Sequence, residues 1–270
     1  MRVEVISPHG FCGGVKRAVE MAYGILSREK GNVYCLHEIV HNENVVRDLM
    51  SEGMVFVESV SEVPEGAVVL VSAHGASSGT FGEARERRLK VVDATCPFVS
   101  AGHAKIRDNF KNGIRTVVVG DPTHIEVIGY LGEDGACLPE DVLPGEKTQT
   151  IVQTTLDAKE HQSVCTATRD RQNAVHEFIE EAMASGSKRS EIGVLVIGSP
   201  KSSNTAKLSF VAEKEGVASW RIADAEGLAK LDFSKTEILG VTSGASTPED
   251  VFESVLAALE RLDEINRRAK

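Results

Sequence analysis

The sequence predicts an α/β protein with mainly parallel sheets, organised as three similar modules. Apolar runs of four to six residues alternate with helix-period segments along almost the whole chain. Side chains able to do chemistry gather in the turns that follow those runs. Three cysteines, Cys12, Cys96 and Cys165, recur 84 and 69 residues apart, each at or near such a turn. That recurrence divides the chain into expected modules at 1–95, 96–162 and 163–270, each giving one cysteine to a shared centre.

The strands read in order are RVEVI, NVYCL, AVVLVS, LKVVD, TVVVG, TIVQ, SVCTA, GVLVIG, ASWRI and EILGVT, each a short, mainly apolar run. Helical periodicity follows in VKRAVEMAYGIL, ENVVRDLMSEG, FVSAGHAKIRDNFKNG, RDRQNAVHEFIEEAMASG, SNTAKLSFVAEKEG and PEDVFESVLAALERL. Open parallel sheets bind ligands at the carboxyl ends of their strands. The turns there read PHGFCGG, HEIVHN, SAHGASS, DATCP, GDPTHIE, QTT, CTAT, GSPKSSN and TSGAST.

With 41% hydrophobic and 26% charged residues the chain is ordinary globular material. Its 40 acidic against 30 basic residues give −10, which argues against nucleic acid or an anionic membrane as partner. No apolar run approaches the roughly 18 residues of a spanning helix, and the chain opens directly on the apolar MRVEVIS with no basic and apolar leader. The expectation is a cytoplasmic protein. Five cysteines, odd in number and widely spread, do not read as a secreted disulfide framework.

Three thiolates without a matching fourth suit a metal centre with one open position. Zinc with three protein ligands and water is one form. An iron–sulfur cluster with one iron left for substrate is the other. The glycines around Cys12 favour a cluster, because backbone N–H groups can then approach its sulfides. Cys35, in an apolar strand, and Cys137, in the polar loop DGACLPE, read as structural or incidental.

His41, His74 and His124 each follow a strand and precede a helix, where free N–H donors favour an anion. Ser202, Ser203, Asn204 and Ser246 add neutral donors at the same level, although residues of these types also serve as plain helix caps. In an acidic protein such a set is what could hold a phosphate or diphosphate. Glu126, two residues past His124, is a carboxylate beside an anion site, and delivering a proton is the role that justifies it there.

GFCGGV, HEIVHN, SAHG, DATCP, the TH-E of Thr123 to Glu126, QTT, CTAT-x-x-RQ, SSN and TSGAS occur in one order from residue 1 to about residue 260. As an ordered set they resemble the LytB family of 4-hydroxy-3-methylbut-2-enyl diphosphate reductases, the last step of the methylerythritol phosphate route to isoprenoids. The resemblance implies a trefoil-like arrangement of the three modules around an iron–sulfur cluster. Cys12, Cys96 and Cys165 would hold a [4Fe-4S] cluster whose open iron takes the substrate's hydroxyl, with [3Fe-4S] the form left when that iron is lost. It also implies that His41, His74, His124, Thr154, Thr155, Ser202, Ser203, Asn204 and Ser246 hold the diphosphate, and that Glu126 with Thr168 relays protons. Isopentenyl and dimethylallyl diphosphate would be the products.

The chain departs from the family pattern in three places. Between QTT and CTAT it has only LDAKEHQSV, so a helix of the middle module is expected to be missing. The usual G-H-x-x-H-P-E turn reads GDPTHIE, and CYATTNRQ reads CTATRDRQ. These changes leave open a paralogue using the same cluster and cradle on another small substrate. A sensor or electron-transfer protein is the non-enzymatic alternative, and it needs neither Glu126 nor a phosphate cradle. No GxGxxG nucleotide turn is present, so electrons must come from outside, with ferredoxin or flavodoxin as the carrier the family implies. Arg85, Arg87, Arg88 and Lys90 form the candidate docking patch.

Overall fold

A short apolar run between two turn signals becomes a strand here, and the longer amphipathic segment after it returns the chain to a parallel neighbour. The computed structural model describes the backbone of residues 1–268 and the side chains of residues 1–262. The chain begins with β1 (Arg2–Val5), α1 (Gly13–Leu26), β2 (Val33–Leu36), α2 (Glu43–Ser51), β3 (Met54–Val57), β4 (Val68–Val71), α3 (Ser78–Glu86) and β5 (Lys90–Asp93). Next come α4 (Pro97–Lys111), β6 (Arg115–Val119), α5 (Ile125–Leu131), β7 (Ala136–Cys137) and β8 (Thr148–Val152). The last part holds α6 (Thr166–Ala184), β9 (Ile192–Ile197), α7 (Ser203–Lys214), β10 (Ala218–Ile222), β11 (Ile238–Ser243) and α8 (Glu249–Arg268).

Among the described residues the strands form three sheets, ordered β1-β11-β9-β10, β3-β2-β4-β5 and β7-β6-β8. Every pairing in them is parallel. The α/β class with parallel sheets is therefore as the sequence predicts. The expected modules run in chain order, whereas β1 pairs with β11 in the register Arg2↔Ile238 to Val5↔Val241. The first strand thus belongs to the last sheet; residues 269 and 270 of the third expected module lie outside the described residues. The chain forms two compact units, residues 1–12 with 155–270, and residues 13–154.

In the first unit β9 shows why continuous apolar runs are needed. Ile192, Val194 and Val196 point to one face, into a cluster with Val175, Phe178 and Ile179 of α6 and Leu208 and Val211 of α7. Leu195 and Ile197 point to the other, against Phe252, Val255 and Leu259 of α8. Alternate side chains leave a strand on opposite faces, so helices on both sides require both sets apolar. In the second unit Leu36, Val57, Val69 and Val71 pack with Ala84 of α3. Val118 of β6 packs with Val99 and Ile106 of α4 and Val127 and Tyr130 of α5.

Three local readings change. SVCTA is not a strand: Cys165 is the N-cap of α6, which begins at Thr166, and the thiol accepts a bond from Thr168 N. The need to satisfy the first helical N–H groups outweighs the strand preference of a β-branched run. MVFV forms β3, and Cys137 lies in the two-residue β7 and is buried rather than in an open loop. Residues 153–164, where the sequence is short, contain turns and no helix or strand.

Candidate functional site

In the unit of residues 13–154, three strand-to-helix turns each bring one imidazole to the same place. His41 follows β2 and directly precedes Asn42, whose Oδ1 accepts from Asn44 N at 3.1 Å and Val45 N at 3.2 Å to cap α2. His74 follows β4, ahead of the Ser77 cap of α3. His124 is itself the N-cap of α5, its Nδ1 accepting from Glu126 N at 3.2 Å. That bond fixes the tautomer, with the proton on Nε2, a donor aimed away from the helix. Ring centroids are 4.3 Å apart for His41 and His74, 5.2 Å for His41 and His124, and 5.8 Å for His74 and His124. All three rings are partly buried.

Crowding three ionisable rings in a poorly solvated place disfavours the charged form. Burial, then His41 and His124, hold His74 well below the usual imidazole value. Burial, then His41, takes His124 down to about 4, with Asp121 opposing. At neutral pH His74 and His124 are therefore neutral.

Glu126 sits in the first turn of α5 at 2% exposure. Its Oε1 accepts from Thr154 N and its Oε2 from Thr154 Oγ1, both at 2.7 Å. Burial raises its pKa to about 7, against the opposing bonds from Thr154 and from Tyr130. Gln153 steadies the approach to Thr154, its Oε1 accepting from Asp121 N at 3.0 Å. Cys96 caps α4 with Pro97 as the first helical residue, and its N–H donates to Ala73 O at 3.0 Å, one residue before His74.

The other unit carries a continuous hydrogen-bonded chain from Cys165 to Cys12. The Cys165 thiol lies 3.2 Å from Thr168 Oγ1, and Asn204 Nδ2 donates to that same hydroxyl at 3.3 Å. Asn204 Oδ1 accepts from Ala245 N at 3.1 Å, and Ala245 O accepts from Cys12 N at 3.1 Å. Ser246, next along, is buried. Thr155 Oγ1 donates to Ser203 Oγ at 2.8 Å, while Ser202 Oγ accepts from Thr205 N at 3.3 Å as an ordinary cap of α7. The loop bearing Cys12 is held at Gly10, with φ +69, whose N–H donates to Ser243 Oγ at 2.7 Å. That positive φ is a backbone conformation that glycine adopts without strain.

Arg171 is the residue that sequence reasoning passed over. It lies two turns into α6, 3% exposed, with Nη2 donating to Gly10 O at 2.8 Å and Nη1 to Ala167 O at 3.2 Å. Its Nε is buried without a hydrogen-bond partner among the described residues. Burial lowers its pKa, and the negative charges that oppose this most are those of Cys12 and Cys165. The only signal was the RQ that ends the CTAT motif.

The donor set fits an iron–sulfur cluster on chemical grounds. All five cysteines are free of disulfides. Cys35 and Cys137 are buried, and burial pushes the Cys35 thiol up. Cys12, Cys96 and Cys165 remain partly exposed at helix starts. Among the described residues no group of three or more His, Cys, Asp or Glu is arranged to hold a single metal ion, and no helix is long and apolar enough to cross a membrane.

A family model described as LytB protein matches residues 3–260. The 4-hydroxy-3-methylbut-2-enyl diphosphate reductase 2 of Burkholderia mallei is 37% identical, the alignment covering 97% of this chain and 86% of that protein. The reductase of the same name from Haemophilus influenzae strain PittEE is 35% identical over 97% of this chain and 90% of its own. The solved structure of the E-1-hydroxy-2-methyl-but-2-enyl-4-diphosphate reductase from Plasmodium falciparum aligns with a TM-score of 0.85 at 28% identity, covering 95% of this chain and 87% of that one. The chain belongs to the LytB family.

Glu126 makes stability depend on pH in a defined window. A carboxyl at about 7 in the folded state against 4.5 otherwise keeps its proton after the unfolded chain has lost it, so stability is lost as pH rises through that interval. The wild-type protein should therefore lose roughly 3 kcal/mol relative to Glu126→Gln between those two pH values. Denaturant unfolding at several pH values checks this, and parallel curves for the two proteins would contradict the burial of an ionisable Glu126.

Proposed function

We propose that this LytB-family chain reduces 4-hydroxy-3-methylbut-2-enyl diphosphate to isopentenyl and dimethylallyl diphosphate. Two electrons and two protons replace the allylic C–O bond with C–H and release water. The observation that carries the reading is Glu126, a buried carboxyl near neutrality, in the same unit as three clustered imidazoles. An electron carrier or sensor has no use for either.

Each group follows from its surroundings. Cys12, Cys96 and Cys165 are proposed as the ligands of an iron–sulfur cluster, of the [4Fe-4S] type with one iron lacking a cysteine, which would become [3Fe-4S] if that iron is lost. Such a cluster, when bound, supplies the electrons and a Lewis acid for the departing hydroxyl. His41, His74 and His124 are proposed to donate to the diphosphate, together with Thr154, Thr155, Ser202, Ser203, Asn204 and Ser246. Neutral donors hold a multiply charged anion with little reorganisation, and the low imidazole pKa values rise once the negative charge is in place. Glu126, near 7, is balanced between holding and releasing a proton at working pH. Thr154 holds both of its carboxyl oxygens, so the group meets the substrate in one orientation. Thr168, bonded to Asn204 and to the Cys165 thiol, is proposed as the second member of the relay.

Electrons are proposed to come from ferredoxin or flavodoxin in the cytoplasm. Of the basic patch proposed for docking, Arg87 donates to Val63 O at 2.7 Å and Arg88 pairs with Glu65 at 3.5 Å, so part of its charge already has structural work.

Anaerobic assay of the cluster-loaded protein with this diphosphate and a low-potential reductant should give both products. Cys12→Ser should lose cluster signal and activity together; an intact cluster with no product would overturn the reading. Calorimetry of inorganic diphosphate binding near pH 6, in buffers of different ionisation enthalpy, should show more proton uptake for the wild type than for His124→Asn. Equal uptake would mean that the imidazoles do not meet the anion.

A further inference from the structure

Residues 153–164 contain turns and no helix or strand, so no ladder satisfies their backbone N–H and C=O groups. Thr155 stands in this stretch, and side chains of the neighbouring helices hold it. Gln172 of α6, the residue after Arg171, is 2% exposed. Its Oε1 accepts from Ala158 N at 2.7 Å, and its Nε2 donates to Leu156 O at 2.9 Å. A side-chain amide carries the donor and the acceptor of a peptide group, so it pairs with the segment much as a neighbouring strand would. With both ends engaged, neither polar atom of the buried amide is left unpaired.

The residues between and beside these bonds reach the other helix. Asp157, 3% exposed, accepts from Lys214 Nζ of α7 at 3.3 Å through Oδ2, and its Oδ1 accepts from Lys159 N at 2.9 Å. Thr155 Oγ1 donates to Oγ of Ser203, the first residue of α7, at 2.8 Å. The segment is thus tied to α6 through its backbone and to α7 through its side chains. Both helices contribute to one apolar cluster with β9, so the frame that holds the segment is core.

We propose that Gln172 is a positioning residue for diphosphate binding, fixing Leu156 and Ala158 so that the Thr155 hydroxyl is held against Ser203 where the anion is received. The inference rests on the reading of Thr155 and Ser203 as diphosphate donors. Gln172 acts through the backbone next to Thr155. Without it, Leu156 O and Ala158 N lose their partners, and the ligand must order the hydroxyl as it binds. Affinity falls while the chemical step, at atoms that Gln172 does not meet, keeps its rate. In turnover this is a raised KM with kcat retained.

The test is a double-mutant cycle on the cluster-loaded protein, read by anaerobic calorimetry of inorganic diphosphate binding. Gln172→Leu should weaken binding about tenfold where Thr155 is present, and less than about twofold in Thr155→Val, where the hydroxyl it positions is gone. Gln172→Glu keeps the shape and the acceptor for Ala158 N but has no donor for Leu156 O. It should weaken binding in the same direction, which keeps the test valid if Gln172→Leu folds poorly. For 4-hydroxy-3-methylbut-2-enyl diphosphate, both variants should raise KM and leave kcat within about twofold. A glutamine that only stabilises the fold would lower the melting temperature and leave affinity unchanged. That result, or an equal loss in both backgrounds, would overturn the proposal. Wild-type affinity in Thr155→Val would instead remove the diphosphate reading of Thr155 and this proposal with it, a separate failure that the Gln172 variants alone would not produce.

Discussion

A helix that starts straight after a parallel strand leaves its first N–H groups without backbone partners, and something in the turn must accept from them. In this chain two of the acceptors are side chains proposed for the site. His124 Nδ1 takes the N–H of Glu126, and the Cys165 thiol takes that of Thr168. Asn42, next to His41, does the same for α2. Two of the capped residues, Glu126 and Thr168, are those proposed for the proton relay. A side chain that caps a helix has its rotamer and, for histidine, its tautomer chosen by the fold. Little reorganisation remains for a ligand to impose, which is the condition for effective electrostatic stabilisation.

The second constraint is dielectric. A protein of net charge −10 attracts no diphosphate by its overall field. Binding must come from local donors. Burial keeps His74 and His124 neutral in the free protein, and the same burial lifts Glu126. One environment therefore sets opposite groups to the same neutral state: imidazoles without their extra proton and a carboxyl near the point of losing its own. An incoming anion would raise all of them together.

These constraints decide what could be read from the sequence. GVLVIG and EILGVT were legible as strands because both their faces are covered, leaving every residue buried and apolar. MVFV was missed because four residues with one exposed position carry little pattern, and SVCTA misled because a capping cysteine looks like a strand residue. The histidine turns could be found one by one, since each sits between a strand and a helix. Their approach to within 6 Å of one another depends on the order β3-β2-β4-β5 and β7-β6-β8, which no local window contains.

Arg171 extends the same reasoning to charge. A guanidinium cannot shed its proton, so burying it demands compensation. Three backbone carbonyls, those of His9, Gly10 and Ala167, meet its N–H groups, but carbonyls are dipoles and leave the positive charge unbalanced. No carboxylate shares its burial; the opposing charges that weigh most are the sulfurs of Cys12 and Cys165. The loop at Gly10 is therefore held by a buried cation. Structure and electrostatics make the same demand here. A neutral replacement that kept every carbonyl contact would still give up the charge that strengthens those three bonds.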